Sequence, residues 1–439
     1  MRLFYGLFFL LLAQARSETD SLLIQNQEFQ GLRTTSLSVV KRELQNHIGE
    51  FFTEEKWQAE RQKLQDLDIF ADIQIQKKIE APDSAGAGSR HVSLVYTFRE
   101  LPPYIPFIAI SKTEQDGFSA GPALASLNFL GQGIRAEFIS RFGGTTEFQA
   151  SLSSQRFFDL PLQYDFAILR IDSYNNFGNF HEDSWRTKLD LIHRLGGPFN
   201  LIYAGEIFHL NTQSPISASP STTSDPVLLN PKGDWVPRLG AGFLWDSRDK
   251  HHDPRHGLYQ ELRLTQNGGF IGGPADYQEW LSDTRIYLPW LSRNTLQLAG
   301  LYQYRTGIAD QTFGRYDLFH AGGVNTLRGF PHDSFQGKSE YILTIENRHD
   351  LIKKQTVKVW KWSAYYGLQG ILGVEMAALW NHDALLESSA HPSYYGGIDI
   401  LLAGVDRIRI QTGSNFSKIL FQTDVGILDK ADIQRFRSR

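Results

Sequence analysis

Two stretches of this chain bring together residue types that could do chemistry. The first is Leu318-Phe319-His320-Ala321-Gly322-Gly323-Val324-Asn325-Thr326-Leu327-Arg328-Gly329-Phe330. An arginine following two glycines sits on a loop able to fold back on itself, and its planar guanidinium pairs best with a carboxylate. If Arg328 is buried it needs such a partner, because an unpaired buried charge is expensive. The competing reading of Arg328-Gly329-Phe330 is an ordinary surface turn. The second stretch is Trp245-Asp246-Ser247-Arg248-Asp249 with Pro254 and Gly257 behind it, a charged strand end and turn. Inside it, His251-His252-Asp253-Pro254-Arg255-His256 offers metal-binding side chains, but they crowd one turn with no second cluster, so no metal site is expected. Cys is 0, which excludes disulfides, thiolate catalysis and Cys-ligated metals. No P-loop is present, and the chain is read as neither an enzyme nor a cofactor binder.

The elements that hold these residues must fit the composition. The 439 residues allow one large domain or two to three ordinary ones. Lys+Arg 44 against Asp+Glu 48 leaves a net charge of -4, so no nucleic-acid partner is expected. A mean hydropathy of -0.31 argues against several membrane-spanning helices, but leaves open a membrane β-barrel, whose strands hide their apolar half in alternation. Aromatics make up 13% of the chain, high for a soluble protein. Met1-Arg2, an apolar run from Leu3 to Ala13 and a small-residue site at Ala13-Gln14-Ala15 read as a secretory signal peptide over residues 1–15. The apolar run is too short to span a bilayer core of ~30 Å.

Residues 16–103 read as a small α+β domain. A strand is expected over Leu22 to Phe29, a helix over Leu37 to Asn46 capped by Ser36, and a second helix capped by Thr53 with Trp57, Leu64 and Leu67 on one face. A strand over Phe70 to Ile79, a turn over Pro82 to Ser89 and a strand carrying Val92, Leu94, Tyr96 and Phe98 complete it. Pro102, Pro103 and Pro106 mark the boundary. Over residues 104–427 helical periodicity gives way to alternation. Ile134, Ala136 and Phe138 alternate with Arg135 and Glu137; Leu262 and Leu264 with Glu261 and Arg263; Tyr341, Leu343 and Ile345 with Thr344, Glu346 and Arg348; Ile408 and Ile410 with Arg407, Arg409 and Gln411. A soluble sandwich also alternates. Strands of about ten residues with aromatics near their ends favour a transmembrane barrel. The fold class expected is mainly β, a roughly 16-stranded antiparallel transmembrane β-barrel preceded by one small α+β domain. Two connections are long, Asn211 to Trp235 and about Gly307 to Lys338, and Leu351 to Trp362 fits neither a short turn nor a clean strand. Residues 428–439 form a polar tail whose only aromatic is Phe436.

The Gly322-Gly323 to Arg328-Gly329-Phe330 stretch resembles the signature of the BamA/TamA superfamily, the bacterial surface-antigen family of outer-membrane barrel insertases and translocators. The Asp246, Arg248, Asp249, Pro254 and Gly257 pattern and the Asn128-Phe129-Leu130-Gly131-Gln132-Gly133 hairpin resemble two further patches of that family, in the same order. The N-terminal region, with Gly49 and the run Leu67 to Ile73, resembles a single polypeptide-transport-associated (POTRA) domain. The resemblance covers nearly the whole chain after residue 15. It implies that Arg328 enters the lumen and meets an acidic residue on the strands after the loop. Glu346 is the first candidate, since it shares the inward face with Thr344 and Arg348. Where the family often carries Phe-x-Asp-x-Gly, this chain has Asn381 and Asp383 at the Asp and Gly positions, and both are kept as candidates.

The resemblance also implies a bacterial-type outer-membrane location with the POTRA-like domain in the periplasm. Partners would be outer-membrane lipid, unfolded β-barrel or secreted polypeptide clients, and periplasmic chaperones or accessory proteins. Assisted insertion or translocation of polypeptides is the leading function. A dedicated two-partner-type secretion pore and a passive porin-like channel are the alternatives. In the family the seam between first and last strand opens; here Pro102, Pro103 and Pro106 adjoin the first strand, and the last is expected over Lys418 to Ile427, with Gly426 in it.

Overall fold

The computed structural model describes residues 22–424 except 80–89, 114–116, 158–159, 176–179, 214–227, 231, 251–252, 310, 324–325, 332–333, 360–361, 388, 403–404 and 414–418. The expected signal peptide, the Pro82 to Ser89 turn, His251, His252, Gly426 and the polar tail therefore lie outside the described residues. The chain divides into two compact units, Met1–Glu100 and Leu101–Arg439.

The first unit is α+β. Strands β1 (Leu22–Gln30), β2 (Phe70–Ile79) and β3 (Arg90–Glu100) form a sheet in the order β1-β3-β2, with β1 parallel and β2 antiparallel to the central β3. Helices α1 (Leu37–Lys41) and α2 (Glu54–Asp66) complete its core, in which Val39, Val40, Trp57 and Leu64 meet Ile24, Val92, Leu94 and Tyr96. Thr53 caps α2 as expected, its hydroxyl accepting from the Lys56 amide at 3.3 Å. The first helix stops at Lys41, short of the Asn46 expected from periodicity. The reason is tertiary. The Gln45 amide donates to the Glu60 carboxylate at 2.6 Å, the Asn46 amide donates to the same oxygen, and the Asn46 carbonyl accepts from the Gln27 side chain at 2.6 Å. Those donors serve a buried carboxylate instead of a continuing helix.

The second unit is a closed antiparallel barrel of 16 strands. In chain order they are β4 (Tyr104–Thr113), β5 (Gly117–Phe129), β6 (Ile134–Gly143), β7 (Thr146–Ser154), β8 (Leu162–Asn175), β9 (Phe180–Arg194), β10 (Phe199–Gln213), β11 (Asp234–Asp246), β12 (Gly257–Gly268), β13 (Asp276–Leu291) and β14 (Asn294–Arg305). After a long loop come β17 (Ser339–Val359), β18 (Trp362–Trp380), β19 (His391–Leu402), β20 (Val405–Gly413) and β21 (Ile419–Asp424). The loop itself contains a short antiparallel pair, β15 (Phe319–Ala321) and β16 (Phe335–Gly337). The end of the barrel where β4 begins is called proximal here and the other distal; the β14–β17 loop is distal.

Alternation sets the two faces. Glu137, Glu261, Glu346, Arg348 and Arg409 are buried toward the lumen, while their neighbours Phe138, Leu262, Leu343 and Ile345 are exposed outside. Exposed tryptophans collect near both ends of the outer face. Trp185, Trp235 and Trp280 lie toward the distal end, and Trp245 and Trp290 toward the proximal end. Closure gives every strand two neighbours, which leaves no open edge between the rims. Among the described residues the closing pair is the shortest: β21 meets β4 at Gln422 and Ser111, whereas β4 pairs with β5 from Tyr104 to Thr113.

Leu351 to Trp362 resolves into a hairpin. β17 and β18 continue past the proximal rim, paired from Gln355 with Tyr366 to Val359 with Trp362, after irregularities between Asp350 and Gln355. Gly117-Phe118-Ser119-Ala120-Gly121 has the Gly-x-Ser-x-Gly spacing of a nucleophile elbow, but it lies within β5, where Ser119 is buried and accepts from the Thr145 amide at 2.9 Å.

Glu60, fully buried, also accepts from the Tyr96 hydroxyl at 3.1 Å; burial and then the Glu60 charge push that hydroxyl's pKa well up, so it stays a donor. Replacing Glu60 with Ala should orphan these donors and destabilise the first unit by about 2–4 kcal/mol. Hydrogen exchange on the full chain should show lost protection in β1–β3 and unchanged protection in β10–β14; equal protection in both would contradict it.

Candidate functional site: a loop docked in the barrel lumen

The distal loop between β14 and β17 is held in two stages. Its first part carries Phe313, Tyr316 and Leu318, which pack on Phe208, Leu210, Val236 and Tyr277. Beneath them Asp317, fully buried, accepts from the Arg238 guanidinium at 2.7 Å and from the Tyr277 hydroxyl at 2.6 Å. The β15–β16 pair follows, with the Arg305 guanidinium over the Phe319 ring at 3.8 Å. Arg305 itself is paired with Glu279 at 2.9 Å. At the loop base Lys338 joins both ends. Its ammonium donates to the Gly307 carbonyl at 3.0 Å and pairs with Asp383, while its amide donates to Asn381 at 3.0 Å. The Lys338 hydrogen bond holds the exposed Asp383 carboxyl below its ordinary range.

The tip is a tight turn. Gly322 and Gly323 take φ of +130° and +82°, and the Gly323 amide donates to the Phe330 carbonyl at 2.9 Å. The Thr326 hydroxyl accepts from the Gly322 amide at 2.8 Å and donates to its carbonyl at 2.9 Å. This turn presents Arg328 inward. Its amide donates to Glu375 of β18 at 2.9 Å, and its guanidinium pairs with the other oxygen of the same carboxylate. The guanidinium also lies over the Tyr395 ring of β19 at 4.1 Å. Gly329 fits against β20 so closely that a Cβ added to Gly413 would sit 2.1 Å from the Gly329 nitrogen. Phe330 packs edge-on to Phe335, and Leu327 is buried with Ala321, Ile342 and Ala377.

The pair belongs to a larger cluster. Tyr395 donates to Glu346 at 2.6 Å; Glu346 accepts from Arg409 at 2.9 and 3.2 Å and from Arg348 at 2.7 Å; Arg409 makes a two-pronged pair with Asp399 at 2.6 and 2.7 Å. Three buried guanidiniums, Arg328, Arg348 and Arg409, thus face three buried carboxylates, Glu346, Glu375 and Asp399. Formal neutrality, with each charge in direct contact with the opposite sign, is what makes such a cluster tolerable away from water. Gly373 makes room for it, since a Cβ there would fall 2.2 Å from the Tyr395 ring.

The expected partners of Arg328 are therefore corrected. Glu346 is inward but one step removed, joined to Arg328 through Tyr395. Asn381 and Asp383 are at the loop base on Lys338. The partner is Glu375, which the sequence analysis missed. It carried a usable signal, because it is the sole acidic residue between Asp350 and Asp383 and alternation puts it inward.

The hairpin motif closes the proximal β11–β12 turn. Asp246 takes both prongs of Arg248 at 2.9 and 2.8 Å, and Arg248 covers the Tyr259 ring at 4.6 Å. Asp249 accepts the amides of Arg255 and His256 at 2.8 and 3.2 Å. Gly257 has φ of +115°, and a Cβ there would fall 2.4 Å from the Ser247 carbonyl oxygen. The turn that includes Pro254 also reaches across to β17 and β18. Arg255 pairs with Asp350 at 2.7 Å, and Asp253 accepts from Gln369 at 3.1 Å. The early motif closes another proximal turn, Asn128 accepting the Gly133 amide at 2.7 Å.

Arg328→Ala should leave Glu375 buried without its guanidinium and loosen the loop, at a cost of about 3–5 kcal/mol. A double-mutant cycle read by loop proteolysis and heat-modifiability should show strong non-additivity for Arg328 with Glu375 and near-additivity for Arg328 with Asp383. Coupling to Asp383 instead would contradict the pairing.

The model of the Omp85 superfamily domain matches residues 128–365, a span that includes the β11–β12 turn and the docked loop. Among solved structures, the chain is similar to BamA from Haemophilus ducreyi lacking POTRA domains 1-3, with 13% identity, a TM-score of 0.59, and coverage of 92% of this chain and 83% of that one. It is also similar to CdiB from Acinetobacter baumannii, with 13% identity, a TM-score of 0.56 and coverage of 92% and 72%. CdiB from Escherichia coli gives 12% identity, a TM-score of 0.52 and coverage of 94% and 90%. No curated protein sequence matches the chain. At these identities the structural likeness speaks for the fold alone; the family match covers more than half of the chain, and the chain belongs to the Omp85 superfamily.

Proposed function

We propose that this protein is an outer-membrane barrel that handles other polypeptides, inserting or translocating them, with its small N-terminal unit acting as a POTRA-like periplasmic domain. The observation that carries this reading is the lumen loop. A plain diffusion pore has no use for a charged plug of the kind built here from Arg328, Glu375, Glu346 and Arg409, buried with opposite charges in contact. Membership of the Omp85 superfamily supplies the functional class. The short closing pair between β21 and β4 offers the least-paired place in the wall among the described residues, and an extended client could add there or on the small unit's sheet by strand pairing. Unfolded barrel or secreted polypeptides, outer-membrane lipid and periplasmic accessory proteins are the partners this implies.

A dedicated secretion transporter is the second reading, favoured by the fold likeness to the two CdiB chains. Reconstitution in liposomes separates the readings. Faster folding of unrelated barrel clients into protein-containing vesicles is the expected result. Passage of one cognate polypeptide with no gain for barrel clients would select the secretion reading. Steady ion conductance with neither activity would overturn both.

A further inference from the structure

The proximal end of the barrel carries one connection unlike its neighbours. The β9–β10 and β13–β14 turns are short, whereas β17 and β18 run on together into a ribbon ending at Val359 and Trp362. Pairing of β14 with β17 ends at His349, and pairing of β18 with β19 begins at Tyr366, so the ribbon has no strand on either side among the described residues. Residues 351–358 are exposed throughout, including the apolar Leu351, Ile352 and Val357. A two-stranded ribbon alone in water is marginally stable.

Its chemistry is one-sided. Lys353, Lys354 and Lys358 lie on it, and no acidic residue occurs between Asp350 and Glu375. Asp350, at its root, is already paired with Arg255 and bonded by Gln369 at 3.0 Å. The aromatic residues Trp362, Tyr365 and Tyr366 stand at its return, and the Lys354 ammonium lies over the Tyr365 ring at 4.5 Å. The ribbon continues directly from strands whose outer faces expose Leu343, Ile345, Leu372 and Val374. Close to the rim the outer face turns polar and aromatic, where Trp290 donates to Asn347 at 2.9 Å. Lysine, tryptophan and tyrosine next to an apolar band are the composition of a bilayer interface.

We propose that this ribbon is an anionic-lipid contact. Lys353, Lys354 and Lys358 take the phosphates of acidic phospholipid headgroups, and Leu351, Ile352 and Val357 rest on the adjoining apolar layer. A lysine near an anionic membrane surface gains about fivefold in partitioning, and the gain is screened by salt. The inference rests on the reading of the barrel as membrane-embedded, so its test carries a separate control.

The native chain has no cysteine, so single-cysteine variants of the full protein accept one environment-sensitive fluorophore each. Thr356→Cys places it on the ribbon, and Val374→Cys on the outer face of the barrel. Both are reconstituted in phosphatidylcholine vesicles with and without phosphatidylglycerol. The Thr356 probe should brighten at least about twofold with phosphatidylglycerol, and the gain should vanish in high salt or when Lys353, Lys354 and Lys358 are changed together to Gln. Circular dichroism checks that the triple variant keeps its strand content. Equal emission in the two vesicle types, or a gain that survives the triple change, would overturn the proposal. So would a response to added acidic polypeptide with none to phosphatidylglycerol. Quenching of the Val374 probe by brominated acyl chains reports whether the barrel is embedded; its absence would sink the membrane reading itself, independently of the ribbon.

Discussion

Burying Arg328 is the act on which the lumen is organised. A guanidinium taken from water into the barrel needs a carboxylate at contact distance, and Glu375 supplies one to both the side chain and the amide of the same residue. That double hold fixes the backbone of the tip as well as its charge. The neighbouring charges then have to balance. Glu346 and Asp399 face Arg348 and Arg409, and Tyr395 links the halves by stacking on Arg328 and donating to Glu346. The same requirement accounts for the small residues around the tip. Gly373 admits the tyrosine ring, and Gly413 admits the loop backbone, where any side chain would collide.

The loop is docked over a broad base, so its tip is held in one place. Asp317 holds its first part through Arg238 and Tyr277, and Lys338 ties its two ends to each other and to Asp383. At the opposite end of the barrel the β11–β12 turn performs a comparable closure, its Arg255 crossing to Asp350 at the root of the projecting ribbon. Both ends of the lumen are thus bridged by charged contacts between strands distant in sequence. A wall so tied leaves the β21–β4 seam as its least-paired place among the described residues.

Much of this was legible beforehand for local reasons. Alternation between apolar and charged residues depends only on the two-residue repeat of a strand, so the faces of Phe138 and Glu137, or of Ile345 and Glu346, follow from the chain itself. Thr53 as a cap and the turn role of Asp249 and Gly257 are likewise short-range. The first helix was overestimated because its end is set by Glu60, a residue from the next helix that claims the Gln45 and Asn46 amides. The ribbon beyond Asp350 was unreadable as a strand because its lysines and aliphatics show no steady alternation, and its pairing partner is needed to define it.

The sequence by itself determined that the chain makes a barrel with an arginine-bearing loop, because strand periodicity and the glycines beside Arg328 are properties of neighbouring residues. Which carboxylate receives Arg328 was decided only by the tertiary structure. Glu346, Glu375 and Asp399 all point inward from the successive strands β17, β18 and β19, and alternation alone does not rank them. Barrel closure and strand register choose among them, placing Glu375 beneath the tip against Arg328 and Glu346 against Arg348 and Arg409, because a buried guanidinium pairs with the carboxylate that the register brings to contact distance.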